Sequence, residues 1–215
     1  MEKAKSVVDY YILCNKLKNT IRTGWKTWKV KRQRIESVAE HIFGVQNLAI
    51  AMYSQYEYDL DIYKVIFMLA IHELEEIGIG DLTDWDISRE DRLKNGHSAV
   101  SSILKDLLKK DEIESLILEF DERKTKEAIF AYHCDKLEAG IQSKVYDEEN
   151  CVDLNDQNDN PINFDPKVQK IFKDGEKSWS NMWLEFDRDK YADDQNFIEL
   201  LEYLKNNNIM NKKDK

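Results

Sequence analysis

Long segments of this chain run without a residue that breaks helices. Only seven glycines and two prolines are spread over 215 residues, which favours helices over many short strands. Between residues 36 and 56 and again between 124 and 147, apolar residues recur at helical spacing. The pattern predicts an all-α fold. Because no linker rich in Pro, Gly or Ser interrupts the chain, one compact domain over residues 1–215 is expected.

Charge and cysteine content limit the partners that this chain can have. The net charge of −10 repels nucleic acid duplexes and anionic membrane surfaces. The run "WKTWKVKRQR" at 25–34 is the basic exception, and two interpretations stay open, a phosphate or base contact and a solvated loop with Trp anchors. Three cysteines without CxxC spacing, no apolar leader and no membrane-spanning run predict a cytoplasmic protein with reduced thiols.

Three residues able to bind metal lie on apolar helix faces, where polar groups are costly unless they have partners. His41 lies on the apolar face of the helix predicted from residue 36, His72 lies on or beside that of the next helix, and Asp135 lies within a third. Each residue alone is interpreted as a hydrogen-bonded or ion-paired core residue, and His97 and His133 receive that interpretation. The combination instead predicts a site for a divalent cation, with ligand types that suit Zn, Mn, Fe, Co or Ni better than Ca.

The segment "AIHELEEIGIGD" at 70–81 has several carboxylates and a possible metal-binding histidine near one helix end. Gly78 and Gly80 are predicted to end that helix. The beginning of the segment resembles the zincin signature H-E-x-x-H, in which two histidines one turn apart bind zinc. Residue 76 is Glu and not His, so the zincin interpretation fails at its second ligand.

Four segments together resemble the HD-domain metal-dependent phosphohydrolases, specifically the branch of the 5′-deoxynucleotidases. They are "RTGW" at 22–25, "ESVAEH" at 36–41, "AIHELEEIGIGD" at 70–81 and "HCDKLEAGIQSKVYDEE" at 133–149. Their order and spacing are similar to the family's Arg-containing turn, first histidine helix, H-D-x-x-E…G-D signature and final aspartate helix. The motif-bearing core would cover about residues 4–150, followed by a C-terminal helical extension at about 165–207.

The resemblance implies one bound divalent ion and a set of ligands for it. The ion would be Mn, Co, Zn, Ni, Fe or Mg, and its ligands would be His41, His72, Glu73 and Asp135.

Four further roles are implied by the same resemblance. Glu76 would accept or orient a proton of the attacking water, and Asp81 would help to position the sugar and that water. Arg22 would bind the phosphate, and Trp25 would lie against the sugar or base. The implied reaction is hydrolysis of a nucleoside 5′-monophosphate or related phosphate monoester to nucleoside and phosphate by a metal-activated water. A homodimer is also expected from the resemblance.

Residue 73 departs from the family signature, because this chain has H-E where the family has H-D. The longer carboxylate must use another rotamer, bind through both oxygens or leave a coordination position open. Since placement errors near ~1 Å can cost ~100-fold in rate, three interpretations stay open. The chain is a phosphohydrolase that tolerates Glu73, or a catalytically degenerate HD protein that binds nucleotide or metal as a sensor or assembly partner. The third is a purely structural helical protein, in which ordinary hydrogen bonds satisfy His41, His72 and Asp135.

Overall fold

The computed structural model describes residues 1–83 and 85–210. Within those ranges the chain consists of α-helices, short 3₁₀ segments and loops, with an isolated bridge between Ile21 and Ser37 and no β-strand. The predicted all-α class is therefore confirmed. None of the helices in the described ranges combines the length and the apolar content needed to cross a bilayer.

The α-helices are numbered here in chain order. They are α1 (Glu2–Cys14), α2 (Thr23–Thr27), α3 (Val38–Gln55), α4 (Ile62–Ile71), α5 (Glu76–Ile79), α6 (Arg89–Leu104), α7 (Lys110–Glu122), α8 (Lys126–Glu148), α9 (Pro166–Lys173), α10 (Trp179–Asp187) and α11 (Gln195–Asn206). The 3₁₀ segments are Asn15–Lys18, Leu154–Asp156, Ile162–Phe164 and Arg188–Tyr191.

The chain divides into two compact units. Unit 1 comprises Met1–Thr23 and Glu36–Tyr132, and unit 2 comprises Gly24–Ile35 and the chain from His133 onward. The expected single domain over residues 1–215 stays a prediction.

In unit 1 an apolar cluster holds the end of α4, the turn after it, α6 and α7 together. Its buried members are Ile71, Leu74, Val100, Leu104 and Ile117. Leu74 belongs to the turn itself, so the segment that carries the predicted ligands is anchored in the core.

In unit 2 the tryptophans pack with one another. The Trp25 ring makes edge-on contacts with Tyr146, Trp179 and Trp183, with ring centroids 5.4, 6.1 and 6.5 Å away. Trp28 packs against Trp179 at 5.7 Å. Such aromatic pairs bury large apolar surfaces and prefer edge-to-face geometry, so these tryptophans form much of the core of unit 2.

Two helical segments change or break along the chain. Helix α1 ends at Cys14, and the chain continues as a 3₁₀ segment to Lys18. The C-terminal helical extension expected at about 165–207 contains a break between α9 and α10. The break contains Gly175, whose φ of 111° is a left-handed conformation that other residues rarely adopt.

Candidate metal centre

A short backbone pairing places Arg22 beside the start of α3. The Arg22 N–H donates to the Glu36 carbonyl at 3.1 Å, and the Val38 N–H donates to the Thr20 carbonyl at 2.8 Å. Helix α3 then begins with a capping box, in which Ser37 and Glu40 satisfy each other's backbone N–H groups. This local geometry fixes the first turn of α3 and therefore fixes His41, which is fully buried.

His72 and Glu73 lie in a tight turn between α4 and α5. Helix α4 ends at Ile71, and the Leu74, Glu76 and Ile77 N–H groups donate to carbonyls three residues earlier, at 3.0, 3.2 and 3.2 Å. This 3₁₀-type pattern is tighter than an α-helix. The segment predicted as one helix end is therefore a break between two helices, which gives His72 and Glu73 directions that a continuous α-helix would not.

The hydrogen bond of His72 determines which of its nitrogens suits a metal. Its Nδ1 lies 2.7 Å from the Leu69 carbonyl oxygen. Because a carbonyl only accepts, Nδ1 carries the proton in the neutral ring and Nε2 carries the lone pair. Such a backbone bond is the usual way in which a metal-binding histidine is oriented.

The two histidines converge on one oxygen of Glu73. The Nε2 atoms of His41 and His72 each lie 3.6 Å from Glu73 Oε1, and the two ring centroids are 5.6 Å apart. A distance of 3.6 Å is too long for a hydrogen bond. Two donors that share an ion at about 2.1 Å lie about 3.0–3.4 Å apart, so small movements would suffice for all three atoms to bind one ion.

Buried negative charge beside these atoms also fits a cation. Glu76 is buried, and neither of its carboxylate oxygens has a hydrogen-bond donor among the described residues. Burial raises the pKa of the Glu76 carboxyl well above its usual range, and the charges of Glu73 and Asp81 raise it further, whereas Arg22 opposes them. A divalent cation would offset this repulsion, so the residues present fit such an ion.

Arg22 and Asp81 both belong to unit 1. Arg22 Nη1 lies 3.1 Å from Glu73 Oε1, so the predicted phosphate-binding arginine contacts the predicted ligand. Asp81 lies two residues after the end of α5 and accepts a short hydrogen bond from the Thr23 N–H, while the Thr23 hydroxyl donates to the Asp81 carbonyl at 2.7 Å. Asp81 thus holds the beginning of α2, and its role toward a sugar stays a prediction.

Two of the predicted site residues belong to unit 2. Asp135 is buried on α8, and Lys136 Nζ lies 2.9 Å from its Oδ2. Trp25 is buried in the aromatic core described above. The roles predicted for them, as a metal ligand and as a surface for the sugar or base, stay predictions.

Sequence reasoning missed two charged residues beside Glu73. Arg92 on α6 places Nη2 3.9 Å from Glu73 Oε2 and donates from Nε to Glu75 Oε1 at 2.9 Å. Arg92 lies in a mainly polar helix and belongs to no recognised motif, so no local signal pointed to it. Glu75 had a signal, because it stands inside the H-E-x-x-E segment, but its role depends on a distant helix.

The sequence of this chain is similar to those of one protein family. The chain matches the model of the HD domain family over residues 14–174. It is 28% identical over 150 residues to the 5′-deoxynucleotidase HDDC2 of Dictyostelium discoideum, covering 66% of this chain and 78% of the relative. It is 27% identical over 154 residues to the 5′-deoxynucleotidase hdd1 of Schizosaccharomyces pombe, covering 68% and 75%.

A solved structure shares the fold. The crystal structure of a predicted metal-dependent phosphohydrolase from Magnetospirillum magnetotacticum superposes with a TM-score of 0.62 at 19% identity, and the match covers 94% of each chain. At this identity the likeness concerns the fold alone. The family model, by contrast, spans most of the sequence and includes His41, His72, Glu73 and Asp135. The chain therefore belongs to the HD domain family.

Proposed function

We propose that this chain is a metal-dependent phosphohydrolase that converts a nucleoside 5′-monophosphate to nucleoside and phosphate. The observation that carries the proposal is the convergence of the His41 and His72 Nε2 atoms on Glu73 Oε1, beside the buried carboxylate of Glu76. Asp135, buried on α8, is proposed as the fourth ligand. Similarity to two proteins named 5′-deoxynucleotidases supports this class of substrate.

Each residue has a distinct task in this proposal. A divalent ion held by the four ligands would polarise a phosphoryl oxygen and acidify a water molecule. Glu76 accepts a proton from the attacking water, and the burial that raises the pKa of its carboxyl makes it a better proton acceptor than a solvated glutamate. Arg22 has five N–H donors in a planar fork, so it can bind a phosphate oxygen while keeping its contact with Glu73. Asp81 orients the sugar.

Phosphate release from a panel of nucleoside 5′-monophosphates tests the proposal. Metal-stripped protein is reloaded separately with Mn, Co, Zn, Ni and Mg, and release is expected with at least one of them. His72→Ala should abolish release. His97→Ala is the matched control and should retain release, because His97 is not one of the proposed ligands and pairs with Asp121 at 2.7 Å. Ion binding without release from any phosphate ester would contradict the proposed reaction.

A binding function without turnover is the second candidate, and Glu73 favours it because this residue departs from the family's H-D signature. The Glu73 carboxylate also forms an ion pair of 3.1 Å with Arg22. Glu73→Asp separates the two functions. Turnover that rises in the variant indicates an enzyme slowed by Glu73, whereas tight nucleotide binding without turnover in both proteins indicates a sensor or assembly partner.

We further propose that the chain forms a homodimer through the outer faces of α3 and α4. Phe43 and Phe67 are 69% and 47% exposed, and Ile50 and Tyr63 are exposed on the same two helices. No Asp, Glu, Lys or Arg occurs between residues 41 and 55. In a chain of net charge −10, the uncharged outer face of α3 can meet its own copy without like-charge repulsion.

Light scattering after size exclusion measures the oligomeric state. The expected mass is twice the chain mass of 25.5 kDa, and Phe43→Glu should yield the monomer. Val8→Glu, on an exposed position of α1, is the control and should remain dimeric. A monomeric wild-type protein would overturn this assignment.

The proposed location is the cytoplasm, because Cys14, Cys134 and Cys151 form no disulfide bond with one another, as expected in a reducing compartment. The proposed partner is a small phosphate ester rather than a nucleic acid duplex or a membrane, since the net charge is −10. Thiol labelling of protein taken directly from cells would test the location.

A further inference from the structure

The carboxylate of Glu73 is flanked by an arginine at each oxygen. Arg22 Nη1 contacts Oε1 at 3.1 Å, and Arg92 Nη2 forms an ion pair with Oε2 at 3.9 Å. Oε1 is also the oxygen on which the two histidines converge. The two arginines therefore lie where they can determine which oxygen of Glu73 is presented to the ion and which is turned away from it.

Arg92 is itself held in place by Glu75. Its Nε donates to Glu75 Oε1 at 2.9 Å, a charge-assisted hydrogen bond in a mostly buried setting. Glu75 is buried and would be an uncompensated buried charge without this partner. Burial disfavours the charged form of Arg92, but the carboxylates of Glu73 and Glu75 outweigh it and raise the guanidinium pKa. Arg92 therefore remains a cation between them.

Helix α6 also provides the space that Glu75 occupies. A Cβ atom built on Gly96 would lie 2.2 Å from Glu75 Oε2 and 3.0 Å from its Cδ, so any side chain at residue 96 would displace the carboxylate. Arg92 and Gly96 are four residues apart, and such positions lie on one face of a helix. One face of α6 therefore provides both the cation that pairs with Glu75, Arg92, and the space that its carboxylate occupies, beside Gly96.

We propose that Arg92, anchored by Glu75 in the space left by Gly96, is a positioning residue that orients the Glu73 carboxylate and so sets the affinity for the divalent ion. The need for it follows from the departure at residue 73. Glu has one more rotatable bond than Asp, so its carboxylate loses more freedom on binding unless neighbours hold it. The inference rests on the proposed function, because the ion concerned is the one proposed there.

Titration calorimetry of metal-stripped protein with Mn²⁺ tests this role. Partners that orient a metal ligand typically contribute about 10- to 100-fold in affinity, so Arg92→Gln should weaken Mn²⁺ binding by about that factor. Lys94→Gln is the matched control, since it removes one positive charge from an exposed position of α6, and its Kd should equal that of the wild type. Arg92→Lys keeps the charge without the planar fork and should fall between them.

A double-mutant cycle distinguishes positioning from general stabilisation. Glu75→Gln should weaken Mn²⁺ binding alone but add little to Arg92→Gln, because both substitutions break the same chain of contacts. Gly96→Ala, which displaces Glu75, should weaken binding in the same direction. If Arg92→Gln does not fold, Glu75→Gln and Arg92→Lys decide the question by the same measurement.

The outcomes separate this inference from the proposed function. Arg92→Gln with an unchanged Kd and a lowered unfolding temperature would make Arg92 merely structural and overturn the inference. A wild-type protein that binds Mn²⁺ but releases phosphate with none of the five metals would refute the proposed reaction, and the positioning role would still be judged by Kd. A wild-type protein that binds no divalent ion would overturn the positioning role as well.

Discussion

At the scale of single residues, Glu73 concentrates the contacts of the site. One oxygen lies 3.6 Å from each of the two histidine Nε2 atoms and 3.1 Å from Arg22, and the other faces Arg92. Its extra methylene relative to Asp extends the carboxylate further from the backbone, and the contacts with the two arginines restrict its orientation. The departure from the family signature is therefore accompanied by contacts that suit a longer side chain.

At residue 80, the backbone conformation requires glycine. Its φ of 80° and ψ of 168° fall in a region that is essentially restricted to glycine. Since nothing lies within 4 Å of a Cβ built there, Gly80→Ala should act by strain alone and lower the free energy of unfolding by about 1–3 kcal/mol. Urea unfolding of the metal-free protein measures this change.

The control for this measurement is Gly24→Ala. Gly24 also has nothing within 4 Å of a built Cβ, but it lies in α2 and its φ is not positive. Alanine should be neutral there or slightly stabilising. Equal losses in both variants would show that backbone strain at Gly80 is not the cause.

At the scale of elements, periodicity predicted which segments are helical better than where the helices end. Residues 124–147 were expected as one helix, and α8 is that helix within about two residues at either end. The break at residues 72–75 was not predicted, because its residues have helical spacing and only i→i+3 hydrogen bonds distinguish it. The contact of Arg92 with Glu73 depends on the packing of α6, which no local pattern encodes.

An ion-pair network between α10 and α11 in unit 2 predicts a pH dependence. Partial burial favours the neutral form of Glu185, but hydrogen bonds from Lys205 and Arg188 outweigh it and hold the pKa of this carboxyl below its usual value. A lowered folded pKa stabilises the protein above the unfolded pKa of about 4.3, and this contribution is lost as the pH falls through the folded pKa.

Glu185→Gln should therefore be less stable than the wild type at pH 7, by up to about 1 kcal/mol because the pairs are partly exposed. The difference should shrink as the pH falls below about 4.3 and the carboxyl becomes protonated. Urea unfolding at several pH values measures it. Glu199→Gln, at an exposed position of α11, is the control and should follow the wild type throughout. A difference that stayed constant with pH would argue against the network.

At the scale of the whole molecule, ion binding should appear as stability. An ion that binds only the folded chain at 100 times its Kd adds about 2.7 kcal/mol, which for a chain of this size corresponds to roughly 5–11 °C in Tm. Thermal unfolding with and without Mn²⁺ measures the shift. It should vanish in His72→Ala and persist in His97→Ala, and a shift retained in both would place the ion elsewhere.

The tight turn after α4 has a consequence for how this sequence can evolve. Within it Leu74 enters the apolar core, Glu73 faces the histidines and Glu75 faces α6. Positions between the conserved letters of a motif are usually regarded as free to vary. Glu75 is such a position, yet it forms an ion pair with Arg92 and occupies the space beside Gly96. Among related chains these three positions should therefore change together, so that a lineage losing the carboxylate at 75 would also be released from glycine at 96.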